Sequence, residues 1–252
     1  MYSVPFALTQ NRDYKITYYS IDQKGNREPA KTAVLSIDSL PPVSSASLEG
    51  TTKSGWYVSP VSLKVSAQDN FSGVNGYQYQ LNDSAWIDIA LGQSATISQN
   101  GGGMTLKVRS KDKAGNYSAV QSYSISIDTS APQNPLYADP HCEAISGVTQ
   151  GVCNDPDFTW HGASDAGSGL AAYEYYWGQD PNGQTATGKN AANDNHFDPA
   201  PVADGSVTYL RIRSQDNLGT WSAWKTLFIL RYTSGFVNFN YLPVIAQGSP
   251  FN

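Results

Sequence analysis

The chain repeats itself, and the repeat limits its folds more than any other feature. Three segments read alike: ITYYSIDQKGN from Ile16, LKVRSKDKAGN from Leu106 and LRIRSQDNLGT from Leu210. Their aspartates, Asp22, Asp112 and Asp216, stand 90 and 104 residues apart. A second motif occurs twice, as DNFSGVNGYQY from Asp69 and DAGSGLAAYEY from Asp165, 96 residues apart. A third, SIDSLPP from Ser36 and SIDTSAP from Ser126, recurs after 90. The growth of the spacing places two insertions in the last copy. One holds Cys142 and Cys153, and the other follows YYWGQDPNG. The 252 residues therefore divide into an incomplete copy over 1–40, a complete one over 41–130, and a complete one with two insertions over 131–235. Residues 236–252 are left as a tail or donor strand.

Within a copy the apolar pattern has period two. Val61, Leu63, Val65 and Ala67 alternate with Ser62, Lys64, Ser66 and Gln68; Tyr123, Ile125 and Ile127 alternate with serines. One polar face and one apolar face predict half-buried antiparallel strands. QDNFSG, LNDS, NGGG and KDKAGN punctuate them as turns. Sixteen Tyr and six Trp make the apolar set strand-forming. About seven short strands per copy predict an immunoglobulin-like β-sandwich. In D-x-x-G-N the aspartate accepts backbone N–H bonds and the glycine takes the left-handed position that closes the hairpin. Thr220 replaces the asparagine in the last copy, so the turn does not require it. Phe158 and Trp160 stand one residue out of phase with Val65, which predicts a bulge before Asp165.

The motif set D-x-x-S-G-V/L-x-x-Y-x-Y, S-x-D-x-x-G-N-x-S and S-I-D-x-x-x-P resembles the bacterial Ig-like repeats strung along large secreted proteins, over residues 6–235. Those repeats are similar in architecture to fibronectin type III modules. The resemblance implies an all-β, elongated array of sandwiches. Its role would be that of a non-enzymatic extracellular segment of a bacterial surface protein or appendage: a spacer, an adhesive stalk or a filament part. Its partners would be other copies of itself or neighbouring modules. Two alternatives stay open: the accessory C-terminal region of a large secreted hydrolase, and a carbohydrate-binding module with glycan partners.

Charge narrows this further. Sixteen Lys and Arg against twenty-one Asp and Glu give a net charge of -5, which argues against nucleic acid. No apolar run reaches the ~18 residues of a membrane helix. The start, Met1-Tyr2-Ser3-Val4-Pro5, has neither a basic nor an apolar leader region, so no signal peptide is expected. Together with the incomplete first copy, of about three strands, this predicts a piece of something longer. The rival explanations are a folded-back or disordered start and strand donation. In the latter, Val237, Phe239 and Tyr241 of the tail would complete another subunit's open edge. The ending Tyr241-Leu242-Pro243-Val244 also resembles those of some bacterial surface proteins. Tyr232 stands where the other copies have Asp38 and Asp128, so the last copy is expected to end the array.

Cys142 and Cys153 are expected to form a disulfide that stabilises their loop by about 3 kcal/mol. A metal site with His141 is the alternative, without C-x-x-C spacing. Asp22, Asp38, Asp69, Asp112, Asp128, Asp165 and Asp216 stand near module junctions, where related repeats gather carboxylates; of these, Asp38, Asp69, Asp112, Asp128 and Asp165 are the calcium candidates. The simpler reading is that each caps its own turn. No other cofactor is expected. Trp177 and Trp221 are candidates for stacking on sugars; Tyr77, Tyr79, Tyr173 and Tyr175 read as core. No motif supports catalysis, and the chain is expected not to be an enzyme. His141, His161 and His196 lack motif spacing, and Asp194 with Asp198 is a pair that any Asp-rich loop offers. Gly101-Gly102-Gly103 reads as a turn before a strand.

Overall fold

The structure, a computed structural model, describes residues 4–236. Two compact units divide between Ile127 and Asp128. Among the described residues no helix is long and apolar enough to cross a membrane.

The first unit opens with a hairpin of β1 (Arg12–Tyr18) and β2 (Lys31–Ile37), which form a two-stranded sheet among the described residues. Then come β3 (Val43–Glu49), β4 (Thr52–Lys53), β5 (Trp56–Tyr57), β6 (Val61–Gln68) and β7 (Val74–Leu81). β8 (Ile87–Ile89), β9 (Ser94–Ile97), β10 (Gly101–Asp112) and β11 (Gln121–Ile127) complete it. One sheet has the order β3-β6-β9, the other β4-β5-β11-β10-β7-β8. The alternation read in the sequence becomes the sandwich. Val61, Leu63 and Val65 of one sheet meet Leu106, Val108, Ile125 and Ile127 of the other in a single buried cluster. Fully burying each such side chain contributes roughly 1.5–3 kcal/mol. β11 ends in a parallel pairing, Ile127 beside Tyr57.

The second unit repeats the plan with β12 (Tyr137–Asp139), β13 (Thr149–Gln150), β14 (Phe158–His161) and β15 (Leu170–Gly178). β16 (Gly188–Ala191), β17 (His196–Phe197), β18 (Val207–Asp216) and β19 (Lys225–Tyr232) follow. Its sheets run β12-β14-β17 and β13-β19-β18-β15-β16. The core is more aromatic: Phe158 and Trp160 face Tyr173, Leu210, Ile212, Phe228 and Leu230. Phe158 meets Phe228 edge-on, with ring centroids 5.3 Å apart.

Three expectations need correction in detail. Among its described residues, 4–40, the first copy supplies two strands, β1 and β2, rather than about three. The three glycines lie inside β10, where the register shifts between Gly101 and Met104. The irregularity before Asp165 is a strand break: Gly162 adopts a φ of 83°, and pairing resumes only at the bridge between Gln133 and Ser164.

The β1–β2 hairpin shares the register of β10–β11 but not its burial. Tyr14 faces Leu35 as Met104 faces Ile125. Leu35 is 46% exposed where Ile125 is 3% exposed, because among the described residues no second sheet covers the hairpin. The donor-strand residues Val237, Phe239 and Tyr241 lie outside the described residues.

Candidate functional site

The aspartates of the repeated motifs build one recurring site per unit. In the first unit Asp112 ends β10, opposite Val74 of β7, and is fully buried. Its Oδ1 accepts the N–H groups of Gly115 (2.7 Å) and Asn116 (2.8 Å). Its Oδ2 accepts the Asn116 side-chain amide at 2.8 Å. The turn closes through Gly115 at a φ of 102°, a conformation that glycine adopts without strain. Asp69 caps the loop before β7, its Oδ2 accepting Phe71 N–H (3.1 Å) and Gly73 N–H (2.7 Å). Asp38, just after β2, reaches across the chain: its Oδ2 accepts Ser72 N–H at 2.9 Å and its Oδ1 accepts Leu40 N–H at 3.1 Å. One oxygen from each of Asp38, Asp69 and Asp112 lies within 4.8 Å of the others. The turn-capping reading and the cluster reading therefore coexist: each carboxylate caps a loop, and the capped loops converge.

The second unit repeats the frame with Asp128, Asp165 and Asp216. Asp128 Oδ2 accepts Ser168 N–H (2.9 Å), and Asp165 Oδ2 accepts Gly167 N–H (3.1 Å) and Gly169 N–H (2.7 Å). Asp216 ends β18 opposite Leu170, its Oδ1 accepting Leu218 N–H (2.8 Å) and Thr220 N–H (2.7 Å). The Asp128 side chain lies against Gly167: a Cβ there would sit 2.2 Å from Asp128 Cγ, so that loop position requires glycine. Among the described residues, the aspartate grouping within 4.8 Å is that of the first unit. Asp216 completes the second unit's trio and heads the same motif as Asp112.

A cation–aromatic contact braces each of these turns. The residue three before the motif aspartate stacks on the residue five after it, across the bridge that closes the turn. Arg109 lies 4.0 Å from the Tyr117 ring centre and 4.1 Å from that of Trp86. Arg213 lies 4.6 Å from Trp221 and 4.9 Å from Trp224. In the first copy the partners are exchanged: Arg27 lies 3.6 Å over Tyr19. The sequence carried this signal in its spacing, but the exchange of residue types hid it.

These contacts decide the aromatic candidates. Trp221 carries Arg213 and, at 5.0 Å, Lys189 on its ring, so it is a brace rather than a free platform. Trp177 packs with the second core, 5.3 Å from Phe158 and 6.3 Å from Phe197. Tyr77 and Tyr173 are buried, with Tyr79 and Tyr175 packed against the same cores.

The remaining candidates are in structural use. His196 Nε2 pairs with Asp157, and its N–H donates to Asp194. His141 Nε2 bonds Thr159 Oγ1 at 2.7 Å, and His161 lies against Tyr137. Cys142 and Cys153 are joined in a disulfide. Buried Gln150 holds that loop, accepting the N–H groups of Val152 and Cys153 and donating to Cys153 O.

No family model matches the chain, and no curated protein matches it. Among solved structures it is similar to the fibronectin(III)-like modules of Clostridium thermocellum CbhA, at 11% identity, over 75% of this chain and 95% of that one, with a TM-score of 0.32. It is also similar to the FN1-FN3 domains of chicken CNTN1, at 15% identity, over 77% of this chain and 66% of that one, with a TM-score of 0.40.

Proposed function

We propose that the chain is a non-catalytic extracellular spacer or adhesive stalk segment of a bacterial surface protein, built from tandem β-sandwiches. What recurs from copy to copy carries this reading: the capped turn and the cation–aromatic brace, at the same positions relative to the motif aspartate in all three copies. The repetition keeps what holds a module together. The Cys142–Cys153 disulfide favours an oxidising compartment such as the cell exterior. The occupied rings of Trp221 and the packed ring of Trp177 weigh against a carbohydrate-binding module. Other modules or copies of the chain are the proposed partners.

A spacer must resist extension. Pulling the oxidised chain from its ends in a force spectrometer is expected to give two discrete unfolding events, each releasing roughly 30 nm of chain. Reduction is expected to lengthen one event by about 4 nm, the length of the 11-residue span that the disulfide locks. Gradual extension at low force, without discrete events, would refute the mechanical role.

A further inference from the structure

We infer that the outer face of the first unit carries a site for a small zwitterion of the α-amino acid class, its ammonium group held by Asp88 and its carboxylate by Lys111. The inference stands independently of the spacer role.

Strand geometry builds the site. Gly76 and Gln78 share one face of β7, the face turned away from the core, since Tyr77 between them is buried. Asp88 of β8 pairs with Gln78 on one side, and Lys111 of β10 pairs with Gly76 on the other. Directly opposed residues share a face, so the two charged side chains stand on a diagonal across Gly76. Two strand spacings and an offset of two residues set their Cα atoms about 12 Å apart. Gly76 has no side chain to fill that gap. A cleft of about 350 Å³ opens there, lined by Asn75, Gly76, Gln78, Asp88, Lys111 and Tyr117 among others. Its volume is that of a site for a small molecule.

The two charges are placed but do not meet. Arg109 Nε donates to Gln78 Oε1 at 2.8 Å, and Gln78 Nε2 donates to Asp88 Oδ1 at 2.7 Å. This chain of bonds fixes the carboxylate and leaves its second oxygen to accept from a ligand. Lys111 Nζ lies 5.2 Å from the Tyr117 ring centre. Among the described residues neither Asp88 nor Lys111 enters an ion pair. The second unit closes the same diagonal. Ala172 stands where the first unit has Gly76, and Lys189 and Gln215 stand in place of Asp88 and Lys111. Lys189 Nζ donates to Gln215 Oε1 at 3.3 Å. Asp88 has a shorter side chain and is tied back to Gln78, so its diagonal stays open. Opposite charges on two walls of one cleft suit a ligand that brings the complementary sign to each, through a charge-assisted hydrogen bond at either end. The long lysine stem covers part of the gap, which leaves the span of a short zwitterion.

The test is titration of the whole chain at neutral pH and constant ionic strength, followed by backbone amide NMR shifts. L-alanine is expected to give saturable shifts centred on Gly76, Gln78 and Lys111, with a dissociation constant at or below about 10 mM. N-acetyl-L-alanine lacks the ammonium group and L-alaninamide lacks the carboxylate; each is expected to bind at least about tenfold more weakly. Asp88→Asn is expected to remove the preference for L-alanine over N-acetyl-L-alanine, and Lys111→Gln the preference over L-alaninamide. Gly76→Ala places a methyl group in the cleft. Its nearest neighbour there is Ile89 O at 3.6 Å, an ordinary contact, so the fold is kept while binding is expected to fall about tenfold or more. No saturable shift with L-alanine overturns the inference. So does equal binding of L-alanine and both capped forms, or binding that Gly76→Ala leaves unchanged. Glucose saturating the same amides as tightly as L-alanine would also overturn it, because a neutral ligand would then suffice.

Discussion

At the scale of single residues, the position four after the motif aspartate decides how that aspartate is satisfied. In the exposed first copy, the Asn26 side-chain amide, followed by its N–H, holds the Asp22 carboxyl below its ordinary range. A depressed folded value means that the stabilising contribution is present above the ordinary carboxylate range. It is lost as the pH falls through the depressed value. Asn26→Thr removes the leading cause, so the Asp22 midpoint followed by carboxyl-carbon NMR is expected to move upward; an unmoved midpoint would contradict this. The braces make a second residue-scale prediction. Arg109→Tyr and Tyr117→Arg are each expected to cost about 0.5–1 kcal/mol, and the double exchange is expected to recover most of it, because Tyr19 and Arg27 already hold that arrangement. Urea unfolding of the unaltered chain and the three variants measures the coupling, and strictly additive losses would rule out a shared brace.

At the scale of elements, local pattern and tertiary demand part ways in places that a sequence cannot show. The alternation in β6, β10 and β11 was readable because one face of each strand is buried over much of its length. The break at Gly162 was readable only as a phase error, since glycine tolerates both an extended and a left-handed backbone. The site aspartates were readable as turn caps from their neighbours. Their convergence depends on strands far apart in sequence, as when Asp112 comes to lie opposite Val74. Trp177 reads as a candidate platform in a run of aromatics, but packs half-buried against the core because β14 and β17 supply Phe158 and Phe197. The disulfide loop belongs to this scale too. Reduction is expected to destabilise the second unit by about 3 kcal/mol, read as a lower urea midpoint for that unit's transition. Equal midpoints before and after reduction would show that Gln150 and the surrounding packing hold the loop unaided.

At the scale of the whole molecule, repetition made the architecture legible, because offsets of 90, 96 and 104 residues align strands, turns and cores together. Less legible was that each unit closes its own core, with one cluster built from β6 to β11 and the other from β12 to β19. Leu210 is fully buried in the second core, and Leu210→Ala is expected to cost about 2–5 kcal/mol. Hydrogen exchange of the Leu210→Ala chain, followed segment by segment, tests this separation most directly. Protection is expected to fall in β14, β15, β18 and β19 while β6, β7, β10 and β11 keep theirs. An equal loss of protection in both sets of strands would mean one shared core and would contradict the account.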